Sequence, residues 1–555
     1  MAGILVAGTS SDAGKSLLVT GLCRAVARRG VRVAPYKAQN MSNNSMVVAG
    51  PDGRAGEIGR AQWLQARAAR VTPTVDMNPV LLKPATDRRS HVVLRGLPYG
   101  TLEAGEYAHG RGALIEASRA AYQALDAAYD LVVCEGAGSP AEINLREGDY
   151  VNMGLARHFG LPVALVGDID RGGMLAAVYG TWGLLEEADR TLLAGYLVNK
   201  FRGDVAVLQP GLDTLTERTG LPCLGVVPWL EGVWLDSEDT LRVGTPATSP
   251  TADALAAVAG SGPATDVPDS GPRLSVAVVR LPRVSNATDI DALAAEPGVD
   301  LTVTTRPDVL AAADLVVVPG SRSTVGDLSW LRGTGIAGVL TARAAAGRPV
   351  LGICGGYQLL GRTIADPDGV EAKVPSTPSA ATVPLPVPSP SLGASTSAPD
   401  RVAGLGLLPV DTLFRAEKSL GRPTGSWRGH TVTGYEIHHG VATVSDAVPT
   451  GSATATATVA AAGGTEGTGG RRVKRFLDGA RAGAVFGTMW HGTMEDDEFR
   501  RAFLTEVAEV SGAQWRPDPA APGFDARREA MIDTLADAVE QHAPALLELA
   551  LRQVG

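Results

Sequence analysis

Short apolar runs recur along the chain, and nearly every one stops at glycine or at a cluster of polar residues. Runs of this length, bounded by turn formers, read as buried strands. The first half places them at 4–8, 31–36, 131–135, 161–167, 194–198 and 221–227. The second half places them at 274–281, 300–304, 315–318 and 350–353. Apolar residues at helical spacing predict helices at 17–29, 113–128 and 498–510, while 527–551 is helical by composition without an evident role. Strands alternating with helices imply crossover units and parallel sheets. The expected fold class is therefore α/β, with two mostly parallel α/β domains.

Three stretches break this pattern. Residues 244–272 are rich in Ala, Thr, Ser, Pro and Gly and read as a mobile linker. Residues 366–400 form a Pro/Ser/Ala/Thr tract and read as a disordered insertion, and 451–470 are similarly biased. The expected division is a first domain over 1–243, the linker 244–272, a second domain over 273–510 interrupted at 366–400, and a helical extension over 511–555.

In open parallel sheets ligands sit beyond the carboxyl ends of the strands, and the polar residues of the first half gather there. The first strand runs into Thr9-Ser10-Ser11-Asp12-Ala13-Gly14-Lys15-Ser16 and then a helix. Amides at such a helix start cradle phosphates, Lys15 adds positive charge, and Ser16 can hold Mg²⁺. The match to the usual phosphate loop is imperfect, since five residues separate Gly8 from Gly14. Glu135 closes a buried strand and can bind the same Mg²⁺ from the opposite side. Other strand ends deliver Lys37, Asn40, Ser42 and Asn43, then Asp168, Asp170 and Arg171, then Lys200 and Arg202. Apart from Lys37, these residues are expected to line one crevice for the acceptor substrate.

In the second half, the strand at 350–353 leads into Cys354-Gly355-Gly356 and a helix start. That is the form of a nucleophile elbow, with glycines that bring backbone amides close to the thiol. A helix start also favours a thiolate. A nucleophilic thiol needs a base. Two segments offer one: 434–440, with His438 and His439, and 486–492, with His491. His491 follows a strand near the end of the domain and is the preferred base.

Composition narrows the function class. With 45% hydrophobic and 20% charged residues the chain has ample core for such domains. A net charge of −9 without a basic block argues against nucleic-acid binding. The four cysteines show neither zinc-ligand spacing nor a disulfide framework. No apolar stretch is long enough for a membrane span and no signal-peptide pattern opens the chain, so a reducing, cytoplasmic setting is expected.

The segment Gly-x-Cys354-Gly-Gly resembles the nucleophile of class I glutamine amidotransferases, which release ammonia from glutamine through a thioester. Pro319-Gly320-Ser321-Arg322-Ser323-Thr324 is similar to their oxyanion loop, which implies that the amides of Ser321 and Gly355 stabilise the oxyanion and that His491 is the base. Many such enzymes carry a glutamate two residues after the histidine. Here that residue is Thr493, which leaves the group orienting His491 unassigned. The Gly-Thr-x-x-x-x-Gly-Lys-Ser loop resembles dethiobiotin synthetase and its relatives, ATP-dependent enzymes of P-loop type in which a lysine at Lys37 supports the phosphates. This implies ATP at Thr9, Ser10, Asp12, Ala13, Gly14, Lys15, Ser16 and Lys37, with Mg²⁺ at Ser16 and Glu135.

Tyr36-Lys-Ala-Gln-Asn-Met-Ser-Asn-Asn-Ser45, Glu135-Gly-Ala-Gly-Ser-Pro-Ala-Glu-Ile-Asn144, Asp168-Ile-Asp-Arg-Gly-Gly173, Asn199-Lys-Phe-Arg-Gly-Asp204 and Gly434-Tyr-Glu-Ile-His438 together resemble the cobyric acid synthases, in the same order over nearly the whole chain. The resemblance implies a dethiobiotin-synthetase-like domain followed by a flavodoxin-like amidotransferase domain. Its expected partners are glutamine, ATP and a corrinoid acid, and the 434–438 stretch is expected to shape the glutamine site or the domain interface. A cobyrinic acid a,c-diamide synthase, a peptidoglycan-precursor amidotransferase and a partitioning ATPase switch remain as alternatives. A switch would not need Cys354.

Overall fold

The computed structural model describes residues 2–50, 53–84, 89–103, 111–233, 271–371, 401–445 and 473–554. Most of the expected linker, all but the first residues of the 366–400 insertion, and the 451–470 segment lie outside the described residues.

In the first half, β1 (Gly3–Gly8), β2 (Val33–Tyr36), β3 (Leu131–Glu135), β4 (Val163–Asp168), β5 (Leu193–Phe201) and β6 (Cys223–Pro228) form one sheet in the order β6-β5-β4-β1-β3-β2. Every pairing in it is parallel. All residues of β1 and β4 are buried, as expected for central strands covered on both faces. Helix α1 (Lys15–Ala27) follows β1, and α2 (Arg60–Ala68) packs beside it.

The helix expected at 113–128 is present as Arg111–Ala128, but the sequence reading missed the strands between β2 and β3. Gln39–Met41, Val80–Pro84, Arg89–Leu94 and Leu97–Glu103 make a small mixed sheet, and Ser45–Ala49 pairs with Ala55–Gly59. Several of these strands bury polar side chains, among them Gln39, Asn40, Glu57 and Lys83. An apolar pattern cannot reveal such strands.

The second half contains β7 (Leu274–Val279), β8 (Val299–Thr304), β9 (Leu315–Val318), β10 (Val350–Ile353), β11 (Val473–Phe476), β12 (Gly479–Ala482) and β13 (Val485–Thr488), in the order β8-β7-β9-β10-β13-β12-β11. The first five in that order pair in parallel, and the last two are antiparallel. Helix α3 (Gly355–Leu360) leaves β10, and α4 (Asp497–Ser511) packs aromatic residues Phe499 and Phe503 into the core.

The C-terminal stretch acquires a role. It forms α5 (Phe524–His542) and α6 (Pro544–Leu551), and both return to the first half. Ile532, Val539 and Leu546 share a core with Leu18, Leu22 and Val26 of α1. Along the same contact Arg24 pairs with Glu529 and Asp533, and Arg28 with Asp533 and Asp537. Exposed pairs of this kind add little each, whereas Arg24 is buried and its Nε also donates to the Ala68 carbonyl. At Gly21 a Cβ would overlap the backbone carbonyl of Leu535. Gly21→Ala should therefore force α5 away from α1 and cost about 1–3 kcal/mol. A lowered denaturation midpoint, with far-UV circular dichroism unchanged at low temperature, is the expected result.

Candidate functional site

The first candidate centre forms where β1 and β3 end. Glu135 is buried, and its Oε1 accepts the Ser16 hydroxyl at 2.6 Å and the Lys37 ammonium at 2.9 Å. Its Oε2 accepts from Gln65 of α2 at 2.6 Å. Lys15 reaches back over its own loop, donating to the Ser10 carbonyl at 3.1 Å and to that of Gly138 at 3.4 Å. Gly14 has φ 89°, and a side chain there would collide with Asn199, whose amide donates to the Ala13 carbonyl. This is a tight cationic loop of a size and charge suited to phosphates. The Ser16 and Glu135 oxygens are the donor type that Mg²⁺ takes, with phosphate oxygens and water supplying the rest. Among the described residues no group of three or more His, Cys, Asp or Glu side chains forms a metal cage, so the fit rests on this pair.

The residues expected to line one crevice divide into two groups. Lys200 Nζ donates to Asp168 and to the Asp12 carbonyl, both at 2.7 Å, and Arg171 lies 3.6 Å from Asp12. Arg202 pairs with Asp170 at 3.5 Å and covers the Trp229 ring. Lys200, Arg171 and Asp168 therefore border the phosphate loop, and Asp170, whose N–H donates to Asp168, pairs with Arg202 beside them. Asn40, Ser42 and Asn43 point elsewhere. Asn40 donates to Gln62, Ser42 binds within its own turn, and Asn43 lines the pocket of Cys354 in the second half.

Cys354 sits between β10 and α3 with φ 49° and ψ −108°. A non-glycine residue in this region is strained, as a nucleophile elbow requires. Its N–H donates to the Thr488 carbonyl of β13 at 2.8 Å. A side chain at Gly355 would overlap Ser321, so the Ser321 and Gly355 backbones lie side by side as the oxyanion reading needs. Gly320 is similarly crowded by the His491 ring.

His491 is fully buried. Its Nδ1 lies 2.5 Å from Asp289 Oδ2, and Asp289 Oδ1 accepts the Gly492 N–H at 2.6 Å. Asp289 is the orienting group that the sequence left unassigned. It lies 202 residues from His491 and belongs to no motif, so no sequence signal pointed to it. Burial alone would discourage a proton on His491, yet the Asp289 carboxylate and the Cys354 thiol outweigh it and raise its pKa to about 10. The ring stacks on Tyr435 at 5.4 Å, and the two backbones exchange hydrogen bonds at 2.8 and 2.9 Å. The 434–440 segment thus braces His491, while His438 and His439 line the Cys354 pocket. Four further pocket or near-pocket groups carried no sequence assignment: Lys83, Arg322, Glu371 and Lys418.

The pH behaviour of this group follows from its geometry. A raised pKa keeps the His491 proton in place as pH rises, until about 10. Asp289→Asn removes the carboxylate that holds it, so the proton should leave at lower pH and the ring is free to adopt the other tautomer. The expected outcome is a loss of roughly 10²- to 10⁴-fold in glutaminase kcat, with the alkaline limb of its pH profile moved to lower pH. Steady-state kinetics from pH 6 to pH 10 would check both.

Comparison with known proteins matches both halves of the chain. Residues 4–242 match the CobQ/CobB/MinD/ParA nucleotide binding domain, and residues 275–499 match the CobB/CobQ-like glutamine amidotransferase domain. The chain is 58% identical to a cobyric acid synthase of Cutibacterium acnes, covering 98% of both chains. It is 51% identical to that of Mycolicibacterium gilvum, covering 99% of this chain and 97% of the relative. It is 50% identical to that of Mycobacterium tuberculosis, with the same coverage. With both halves matched in order and half or more of its residues shared with relatives along nearly their full length, the chain belongs to the cobyric acid synthase family.

Proposed function

We propose that the chain amidates the b, d, e and g carboxylates of adenosylcobyrinic acid a,c-diamide, using ATP and glutamine, to give adenosylcobyric acid in cobalamin biosynthesis. The observation that carries this reading is the joint presence, in a chain of this family, of the Ser16–Glu135–Lys37 centre and the Cys354–His491–Asp289 group. Residues 1–243 are assigned to carboxylate activation and 273–510 to ammonia release, joined by 244–272. The described start of the 366–400 insertion reaches the Cys354 pocket through Glu371, and the 511–555 extension stands outside both chemistries.

In the second half, the Cys354 thiolate attacks the glutamine side-chain carbonyl. The Ser321 and Gly355 amides stabilise the oxyanion, and His491 gives its proton to the departing ammonia. His491 then takes a proton from water, which hydrolyses the thioester to glutamate. In the first half, the loop from Thr9 to Ser16, with Lys15 and Lys37, holds the triphosphate while a substrate carboxylate takes the γ-phosphoryl group. Ammonia attacks the resulting acyl phosphate, and inorganic phosphate leaves. Mg²⁺ bound by Ser16 and Glu135 would neutralise charge on the phosphates. Asp168, Arg171 and Lys200 border that loop with Asp170 and Arg202 beside them, and Asn40, Ser42 and Asn43 extend toward the second half.

The partners are small molecules: glutamine, ATP and the corrinoid acid, without nucleic acid. No helix among the described residues is long and apolar enough to cross a membrane. All four cysteines are unpaired, and a free nucleophilic thiol suits the reducing cytoplasm.

Mass spectrometry of products formed with ATP, glutamine and either corrinoid acid tests the assignment. Four added amides on the a,c-diamide are expected, and amidation of cobyrinic acid at a and c instead would reassign the chain. Cys354→Ala should abolish amidation from glutamine and spare amidation driven by ammonium. Equal loss with both nitrogen sources, in a folded variant, would count against the nucleophile. Lys15→Ala should remove synthesis from either source, because charge is lost where it accumulates in phosphoryl transfer. Persistent ammonium-driven synthesis would overturn the phosphate-loop assignment.

A further inference from the structure

The pocket in front of Cys354 is not built by the second half alone. Asn43 and Lys83 of the first half face it together with Arg322, Glu371 and Gln358 of the second. Buried polar atoms in this lining without a hydrogen-bond partner are Asn43 Oδ1, an acceptor, Arg322 Nε, a donor, and both ring nitrogens of His438. Buried groups of this kind normally find partners, so an acceptor and a donor left open toward one pocket point to a ligand that supplies the complements.

The charge around the pocket says which ligand. Lys83 and Lys418, one from each half, share the single carboxylate of Glu57. Burial lowers the pKa of the Lys83 ammonium to about 7, so near pH 7 it is only partly charged until an anion joins it. Arg322 adds a guanidinium. Burial together with these cations holds His91 and His439, also in the lining, down to about 4, so both rings are neutral near pH 7. The one acid in the lining, Glu371, is turned toward the backbone and accepts the N–H groups of Thr324 and Val325 at 2.9 and 3.0 Å. The pocket therefore offers cations and one open carbonyl acceptor beside a nucleophilic thiol. An α-carboxylate answers the cations, an α-ammonium answers the acceptor, and a side-chain amide reaches the thiol.

We propose that Lys83 and Asn43 of the first half act with Arg322 to hold the α-carboxylate and α-ammonium of glutamine, so that the glutamine pocket is shared and is incomplete in either half alone. The proposal rests on the reading of Cys354 as the nucleophile. It assigns the first half a direct part in choosing the nitrogen donor, besides activating the acceptor.

The test compares L-glutamine with its α-amide, which lacks the carboxylate, as glutaminase substrates of the full-length enzyme. The wild type should prefer glutamine by about 10- to 100-fold in kcat/KM. Lys83→Met and Arg322→Met should each collapse that preference, mainly by raising KM for glutamine. Asn43→Leu removes the acceptor of the α-ammonium, which both substrates carry, and should raise KM for glutamine and for its α-amide alike. It also covers the case in which Lys83→Met fails to fold, since Asn43 lies in a partly exposed loop. Alkylation of Cys354 by iodoacetamide, which carries no charge, should still go to completion in all three, which reports a folded protein with an accessible thiol. No preference in the wild type overturns the proposal. So does a preference lost with Arg322→Met but kept by Lys83→Met, or an unchanged KM for both substrates in Asn43→Leu, either of which would confine the site to the second half. Glutaminase activity surviving in Cys354→Ala would instead refute the underlying nucleophile, a result distinct from either.

Discussion

The orientation of His491 depends on a contact that spans both halves of the chain. Its Nδ1 is held by Asp289, and Asp289 sits on a short 3-10 turn, Ala287–Ile290. That turn is fastened from the first half: Asn286 accepts the N–H of Ser45 at 2.9 Å, and Asn44 accepts the N–H of Ala287 at 3.0 Å. The partner of one ring nitrogen fixes which tautomer an imidazole adopts and where its other nitrogen points. Here the other nitrogen is left for Cys354. A displacement of the first half would move the turn, the carboxylate and the ring together. The Asn-Asn-Ser run at 43–45 is therefore a structural tie at the amidotransferase centre as much as a polar strand end.

A second tie runs through α2. Arg60, at its start, pairs with Glu495 at 2.5 Å, and Glu495 lies just beyond His491 in the chain. Arg528 of α5 takes the other oxygen of the same carboxylate at 2.7 Å. Although burial opposes charge on Glu495, the two guanidinium groups hold its carboxyl well below the usual range. Both also lie over the Trp63 ring of α2, at 4.3 and 5.2 Å. Glu495 is partly exposed, but both guanidinium groups it binds are buried, so breaking either pair leaves a buried charge without its partner and the three elements are held in fixed relation. Further along α2, Gln65 binds Glu135. One nine-residue helix thus touches both the acid of the phosphate centre and the segment that follows the amidotransferase histidine.

The second tie draws on α5, which brings the chain back to the first half. After the second sheet, α5 and α6 cross back to α1, filling its apolar face and meeting its arginines with a row of acids. Without that return, α1, which carries Lys15 and Ser16 at its start, would present Leu18, Leu22 and Val26 to water. The extension that has no chemistry of its own completes the core beneath the phosphate loop.

Much of this was legible in the residues themselves. Buried parallel strands are continuous apolar runs, so β1, β3, β4, β9 and β10 could be read directly, and the phosphate loop and the Cys354 elbow are local motifs that need only a strand, glycines and one reactive side chain in order. The small sheets between β2 and β3 were not legible, because their buried faces carry Gln39, Asn40, Glu57 and Lys83. The role of the C-terminal helices was equally hidden, since the helical pattern was visible but the partner lay some 500 residues earlier. Asp289 escaped for the same reason: a lone aspartate has no pattern until folding brings it to a histidine 202 residues away. The sequence by itself determined which chemistries are present, because a nucleophile and a phosphate loop are specified by neighbouring residues. Only the tertiary structure decided how they are joined, because the groups that orient His491, surround Cys354 and pair around Glu57 and Glu495 come from segments that meet only once both halves are packed together.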